Sequence, residues 1–436
     1  MKKLFQVSFV SLLVLFSFNF FEATFLRSSM MNYLTFLYLL TAVVMSLSKF
    51  FFEKSIGFVL PVQLLFVSIF FSLFMAFNSW DQSLFDGLIS TMPYLIWIFF
   101  FYLLSVNFSV KNTEIIILVY GSIYILLYFF QLANSHTVYF GNFEEYVESR
   151  GVIRIIFPGG GVLFLSAFMA ANKLTTEKKY KILWFTLTFF GLAISVLQAT
   201  RQFILGVLII YLFHFTKKMA FYKRVILTGF IGLGVLLYIS RSDSAIAKGL
   251  TEAQEQVSEQ QEDYIRVVAA NYFMTDFSPR FMCQVFGNGA ARYGISDYGR
   301  FIERLADTYG YYIDDLGLIG MYAMFGIFPV IAFILIWIKS FTIPLPEEYY
   351  YLKYYIWFLL ITSVTSYNVY HPHYLICTVL VLFIYQSIIK RTIKVKDAND
   401  RSVKLVLPEN LKVYEVEQAK KSKVQLHFSN ENKLNA

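Results

Sequence analysis

Residues 56–77 read IGFVLPVQLLFVSIFFSLFMAF, a run of 22 residues that contains no charged side chain. A bilayer core about 30 Å thick takes roughly 20 apolar residues of helix, so this run is long enough to span a membrane. Comparable runs recur along the chain and predict twelve spans in total, at 4–21, 30–48, 56–77, 88–106, 115–132, 155–172, 182–198, 203–215, 224–240, 316–338, 354–370 and 374–389. The predicted fold class is therefore all-α, a polytopic membrane protein of about twelve transmembrane helices.

The composition agrees with this fold class and excludes several others. Hydrophobic residues make up 57% of the chain and charged residues only 15%, whereas soluble domains carry about 25% charged residues. Two cysteines, Cys283 and Cys377, and the lack of any Cys/His cluster predict neither a disulfide framework nor a metal site, and no cofactor is expected. The net charge of +8 reflects membrane topology and does not indicate nucleic-acid binding.

The basic residues predict the orientation of the spans. Lysine and arginine in short loops stay on the cytoplasmic side, so the lysine-rich loops 173–181 and 216–224 face the cytoplasm. An even number of spans then places both termini in the cytoplasm. The predicted parts of the chain are spans 1–9 (residues 1–240), one large outer loop (241–315), spans 10–12 (316–389) and a polar cytoplasmic tail (390–436). Within the loop, the residue pattern predicts helices over 251–263, 264–273 and 297–309.

The predicted outer face has a distinctive set of basic residues. Of its 11 basic residues ten are arginines, namely Arg27, Arg150, Arg154, Arg201, Arg241, Arg266, Arg280, Arg292, Arg300 and Arg304. Arginine presents a planar fork of donors that binds phosphate through two hydrogen bonds, although pairing with the 18 outer carboxylates is an alternative for any single one. As a set they predict an anion site. The scarcity of ionisable residues within the spans argues against a conduction pathway.

Two arginine-bearing outer segments are candidate phosphate sites. The hairpin 199–202 holds Arg201 near the headgroup plane, where it either extends to ordinary lipid phosphate or binds a specific pyrophosphate. Arg150 and Arg154 precede the outer N-terminus of the sixth span, and a helix N-terminus favours an anion. The glycines at 159–161 that follow admit either close helix packing or close approach of a lipid.

Two adjacent carboxylates, Asp314 and Asp315, lie where the outer loop enters the tenth span. Such carboxylates bind sugar hydroxyls or act as a general base, and one of them is also suited to cap the helix that follows. His371 and His373 flank Pro372 in the last outer hairpin, a pattern that favours a tight, hydrated turn over a catalytic role. Four further outer residues are candidates for substrate binding: Arg300, Arg304, His371 and His373.

These features resemble the O-antigen polymerase and O-antigen ligase superfamily of bacterial membrane glycosyltransferases. The resemblance covers most of residues 88–389 and is carried by Thr200-Arg201, by Arg266 in a large late outer loop, by the Phe-Gly-x-Gly turn at 286–289 and by the closing Gly-Leu-Ile-Gly at 317–320. It implies a metal-independent glycosyltransferase at the outer face of a bacterial plasma membrane. Its donor would be an undecaprenyl-pyrophosphate-linked oligosaccharide.

The expected mechanism is inverting group transfer. The residues expected to neutralise the leaving pyrophosphate are Arg150, Arg154, Arg201 and Arg266. Asp315 or Asp314 is expected to orient and deprotonate the attacking hydroxyl. Besides the lipid-linked oligosaccharide, the expected partners are the lipid bilayer, a flippase and a chain-length regulator, with no nucleic acid.

The outer loop bears on the choice within the superfamily. Ligases commonly carry a His-Asn pair before the closing glycine motif, whereas residues 241–315 contain no histidine. This difference favours polymerisation of repeat units into a surface polysaccharide. Two alternatives stay open: a ligase that passes finished glycan to another acceptor, and an exporter or flippase of the lipid-linked oligosaccharide.

Overall fold

The computed structural model describes residues 2–26, 28–141, 148–149, 152–153, 155–198, 200–217, 219–220, 222–223, 262–364 and 366–405. Two short strands, β1 (Glu148–Ser149) and β2 (Val152–Ile153), form an antiparallel pair. The α-helices of the described residues are α1 Lys2–Ser17, α2 Ser28–Phe52, α3 Val59–Trp80, α4 Leu84–Thr91, α5 Phe99–Ser105, α6 Val110–Ala133, α7 Gly160–Thr176, α8 Lys181–Leu197, α9 Arg201–Thr216, α10 Glu262–Thr275, α11 Phe281–Phe286, α12 Asp297–Tyr309, α13 Leu318–Phe325, α14 Ile327–Thr342, α15 Tyr350–Thr362 and α16 Pro372–Leu405.

The described chain is mostly helical, and several helices are apolar enough to cross a bilayer. Five stretches meet both the length and the composition of a membrane span: Tyr33–Phe52, Val59–Trp80, Leu84–Ser105, Val110–Ala133 and Pro372–Ile393. Four further apolar helices are shorter, at 10–17 residues. Large apolar side chains on α2 and α8 are exposed, among them Val44 at 64% and Phe185 at 60%, as expected of surfaces that contact lipid.

The helices follow the predicted spans with local differences. Each predicted span except 224–240, which lies outside the described residues, overlaps at least one helix. The span predicted at 88–106 contains a 3₁₀ segment, Met92–Ile98, between α4 and α5. The span predicted at 354–370 is shorter, because α15 ends at Thr362. The total of twelve membrane crossings stays a prediction.

The span predicted at 316–338 is broken in two. Helices α13 and α14 meet at Gly326, which has φ +80°. A turn of the outer loop fills the break: the backbone N–H of Asn288 donates to Ala323 O at 3.2 Å, and that of Gly289 donates to Met324 O at 2.8 Å. Carbonyl groups that would accept hydrogen bonds within a continuous helix therefore accept them from the loop backbone instead.

The segment predicted as the outer loop contacts the end of α3 through aromatic and amide side chains. Trp80 stacks on Tyr298 with ring centroids 4.7 Å apart, and its indole N–H donates to Asn288 Oδ1 at 2.9 Å. The buried Gln82 accepts hydrogen bonds through Oε1 from the backbone N–H of Arg292 and from the hydroxyl of Ser296. Two predicted loop helices are confirmed, as α10 and α12. The predicted helix over 251–263 lies outside the described residues except for its last two.

Two helices form the centre of the membrane-embedded part. Helix α7 is buried continuously from Gly161 to Asn172 and packs against α6, α8 and α15. Glycines allow this approach, because a Cβ on Gly191 would lie 2.3 Å from Ala167 Cβ. The first part of α16 is buried as completely, from Leu375 to Tyr385. Both helices begin at the same cavity, which is the candidate site.

The chain divides by its contacts into two units, residues 1–386 and 387–436. The first unit holds helices α1 to α15, the first part of α16 and the candidate site. The second begins within α16 and is described to Leu405.

Candidate functional site

A cavity of about 300 Å³ opens in the first unit. This volume is at the lower end of the range of small-molecule sites. The cavity is lined by Glu22, Tyr124, Ile156, Phe157, Pro158, Gly159, Gly160, Gln198, Thr200, Gln202, Phe203, Asp315, Ser366, Tyr367, His371, His373 and Tyr374. Polar and titratable side chains from five separate parts of the sequence therefore meet in one space.

In the described part of the chain, three long helices begin at this cavity. Gly160 is the first residue of α7, Thr200 is the N-cap of α9, and His373 belongs to the first turn of α16. The first turn of a helix leaves backbone N–H groups without intrahelical acceptors, and its dipole is positive there. Three such ends facing one cavity favour a bound anion.

The glycines at 159–161 serve close packing, as one of the two sequence interpretations held. Gly159 has φ +109°, and a Cβ at this position would lie 3.0 Å from Phe21 and Tyr124 side-chain atoms. A Cβ on Gly160 would lie 2.8 Å from the hydroxyl of Tyr374. The absence of side chains thus lets the start of α7 lie against the start of α16 beside the cavity.

Arg201 is the first residue of α9 and is exposed. Its neighbours on both sides, Thr200 and Gln202, line the cavity. Just before them, the amide of the buried Gln198 donates to the Tyr124 hydroxyl at 3.0 Å. Arg201 therefore lies next to the cavity in sequence and at the positive end of a helix, a position at which a cation adds to the positive charge near the bound ligand.

The two carboxylates at the end of the outer loop have different surroundings. Asp315 lines the cavity, and its Oδ2 lies 3.5 Å from Arg266 NH2 of α10. Asp314 accepts a hydrogen bond at 3.3 Å from the Tyr370 hydroxyl, which also donates to Ile313 O. Burial among these neighbours raises the pKa of Asp314, the Tyr370 hydrogen bond opposes that rise, and nearby Asp315 adds to it.

The capping role considered for Asp314 or Asp315 is wrong. Both residues belong to a 3₁₀ turn, Ile313–Leu316, that precedes α13. The N-cap of α13 is Gly317, and no side chain caps it. The reason is conformational, because Gly317 has φ +52° and turns the chain between the carboxylates and the helix.

His371 and His373 lie with their rings 4.7 Å apart at the start of α16. Nδ1 of His373 donates to Ser17 O at 3.2 Å. Nδ1 of His371 is buried and has no hydrogen-bond partner among the described residues, and its ring lies 4.4 Å from that of Tyr367. Burial, with a smaller effect of His373, lowers the pKa of His371 well below its usual range. Both residues line the cavity.

Other predicted site residues lie elsewhere. Arg300 and Arg304 occupy the exposed face of α12 and are not among the residues that line the cavity. Arg300 donates to Ile295 O at 2.7 Å and pairs with Asp297. Arg150 and Arg154 lie outside the described residues.

Several cavity residues were not anticipated from the sequence, and Glu22 is the most informative of them. One signal was available, because Glu22 is the only acidic residue before position 53. Gln198 and Tyr367 gave no comparable signal, since amides and tyrosines are frequent at membrane interfaces.

The site thus combines three helix starts with two carboxylates, two imidazoles and aromatic rings. This arrangement suits a ligand that is anionic at one end and rich in hydroxyl groups at the other. No known protein family matches this chain, and no curated protein matches it either.

Proposed function

We propose that this protein is a membrane glycosyltransferase that polymerises oligosaccharide repeat units carried on undecaprenyl pyrophosphate. One observation supports the proposal: three helices begin at a single cavity that also contains carboxylates, and Arg201 lies between two residues that line it. Such a site is suited to neutralise a pyrophosphate and to activate a hydroxyl. Polymerisation of a surface polysaccharide requires both steps.

The proposed reaction builds up negative charge on the leaving group. As the glycosidic carbon loses its bond to pyrophosphate, negative charge grows on the departing oxygen. We expect Arg201 and the backbone N–H groups at the starts of α7 and α9, together with that of His373 in α16, to stabilise that charge; Pro372, the first residue of α16, has no N–H to contribute. The acceptor is a hydroxyl of a second lipid-linked unit, and a carboxylate of the cavity takes its proton.

The lipid carrier fits the surroundings of the site. The cavity lies at the ends of apolar helices, and exposed apolar side chains of α2 and α8 provide surfaces that contact acyl chains. A polyprenyl tail would remain in the bilayer while its pyrophosphate reaches the helix ends. The lipid bilayer is accordingly part of the substrate environment, with a flippase as supplier and a chain-length regulator as partner.

Direct assay tests the function. Purified protein in nanodiscs is supplied with a defined undecaprenyl-pyrophosphate-linked repeat unit, and products are resolved by mass spectrometry. A ladder of products differing by one repeat unit supports polymerisation. Transfer only to an unrelated acceptor indicates a ligase, and translocation without a covalent product indicates a flippase; either result rejects the proposal.

The proposal includes twelve spans with both termini in the cytoplasm of a bacterial plasma membrane. Cys283 and Cys377 are fully buried, so cysteines introduced by Lys178→Cys and Asp307→Cys report accessibility with little background. We expect an impermeant maleimide to label Asp307→Cys in intact spheroplasts and Lys178→Cys only after the membrane is opened. Labelling of Lys178→Cys from outside would reverse the orientation.

The Arg266–Asp315 pair is expected to act as one unit. Both side chains are nearly half exposed, so the pair contributes little to stability, and losses of activity report on the site itself. We expect Arg266→Gln and Asp315→Asn each to lower the initial polymerisation rate about tenfold, and the double variant to be no slower than either. Losses that multiply in the double variant would show that the two residues act independently.

A further inference from the structure

Glu22 belongs to a turn with uncommon backbone geometry. Asn19, Phe20, Phe21 and Glu22 have φ values of 46°, 53°, 59° and 51°, so four consecutive residues other than glycine adopt the left-handed region. This region is unfavourable for residues with a Cβ, and the conformation persists only where surrounding contacts impose it. The chain thus maintains a strained turn at the edge of the candidate site.

The contacts that impose this turn are specific. Gly141 N–H donates to Glu22 O at 3.1 Å, and Thr24 N–H donates to Tyr139 O at 3.0 Å. On the other side, the buried Phe21 packs under Gly159, where a Cβ would lie 3.0 Å from its ring. The turn is therefore fixed between the end of α6 and the start of α7, with the Glu22 side chain at the cavity.

The Glu22 carboxylate differs electrically from Asp315. Among the described residues, no lysine or arginine nitrogen lies within ion-pairing distance of Glu22, whereas Asp315 faces Arg266. Burial raises the pKa of Glu22, and a hydrogen bond with the Asn19 side chain acts in the opposite direction. A general base is more effective when its conjugate acid is not too strong. The Glu22 carboxylate, which has no ion pair among the described residues, is therefore better suited than Asp315 to accept a proton.

We propose that Glu22 is the general base of the glycosyl transfer, an inference that rests on the proposed function. It assigns to Glu22 the role that the sequence suggested for Asp315 or Asp314, and leaves Asp315 to position Arg266. The acceptor hydroxyl gives its proton to Glu22 while its oxygen forms a bond to the glycosidic carbon of the donor. The bond from that carbon to the pyrophosphate oxygen breaks with its electron pair, and undecaprenyl pyrophosphate leaves as an anion that needs no proton. Glu22 then releases its proton to water.

The main test compares Glu22→Gln with the wild-type protein in the nanodisc assay. We expect kcat to fall about 100-fold, with binding of the lipid-linked donor and thermal unfolding unchanged. Asp276→Asn is the control, because Asp276 is an exposed carboxylate next to the end of α10 that accepts a hydrogen bond from Thr275 and does not line the cavity. We expect this control to retain wild-type activity.

Two further measurements distinguish a role of Glu22 as general base from a purely structural role. Formate added to Glu22→Ala supplies a carboxylate and is expected to restore activity at least about tenfold. In the wild-type protein, activity is expected to fall as the pH decreases through the pKa of Glu22, which burial raises, and Glu22→Gln is expected to lack this decrease. The other titratable groups facing the cavity are Tyr124, Asp315, Tyr367, His371, His373 and Tyr374.

The outcomes are distinguishable. If the wild-type protein makes no polymer from any lipid-linked unit, the proposed function itself fails. If the wild-type protein polymerises while Glu22→Gln keeps more than about one third of its rate, the role of Glu22 is rejected and the function stands. An inactive Glu22→Ala that unfolds normally and is not rescued by formate also rejects the role as base.

Discussion

Arg201→Lys is expected to lower polymerisation by about 10²–10³-fold, enough to leave single repeat units as the only product. Lysine retains the charge but loses the planar fork that binds two phosphate oxygens at once. Arg201 occupies the first position of α9, between Thr200 and Gln202 of the cavity, and under the proposed function its guanidinium binds the departing pyrophosphate. The measurement is product length in the nanodisc assay.

Arg280→Lys is the control for this variant. Arg280 is also an exposed arginine next to a helix start, yet it does not line the cavity. We expect its product ladder to match that of the wild-type protein, and both variants to reach the membrane in equal amounts. Normal chain length in Arg201→Lys would exclude Arg201 as a pyrophosphate ligand.

Gly317→Ala is expected to destabilise the protein by about 2–5 kcal/mol. The backbone at this residue has φ +52° and ψ −118°, and a Cβ would lie only 1.9 Å from Ser363 O. Moreover, Leu318 N–H donates to the same Ser363 oxygen at 2.9 Å, so the contact cannot open without breaking a hydrogen bond. The loss is measured as a lowered thermal unfolding temperature in detergent.

Gly294→Ala separates the two causes of this expected loss. Gly294 also has positive φ, at +68°, but a Cβ there would meet no atom closer than Glu303 Oε1 at 4.0 Å. Its cost should be limited to the backbone contribution of about 1–2 kcal/mol. Equal losses in the two variants would show that the contact of Gly317 with Ser363 contributes nothing.

The sequence predicted those parts of the fold that depend on local pattern. Apolar runs located the helices, and the polar stripe of 297–309 predicted α12 with its observed bounds. The break at Gly326 was not predicted, since the residues on both sides of it are apolar. It forms because a turn near Asn288, some 35 residues earlier, supplies hydrogen bonds to Ala323.

The site was predicted only in part, because some of its residues are recognisable from local pattern and others depend on contacts distant in the sequence. Arg201, Asp315 and Arg266 could be identified from charge on a predicted outer face, and the structure places them at or beside one cavity. For Glu22 the sequence offered only its isolation as an acidic residue, because its place at the cavity depends on Phe21 packing under Gly159, far away along the chain. A left-handed run of residues other than glycine is likewise a consequence of tertiary contacts and leaves no local signature.

The convergence of α7, α9 and α16 has a consequence for how affinity and rate respond to pH. The partial charge at a helix start belongs to backbone dipoles, which neither titrate nor disappear when a side chain is replaced. Under the proposed function, the contribution of these helix starts to donor binding is independent of pH, whereas proton transfer to Glu22 is lost as the pH decreases. Acidification is then expected to lower kcat, and any accompanying change in KM for the lipid-linked donor reports on Asp315, His371 and His373, titratable side chains that also line the cavity.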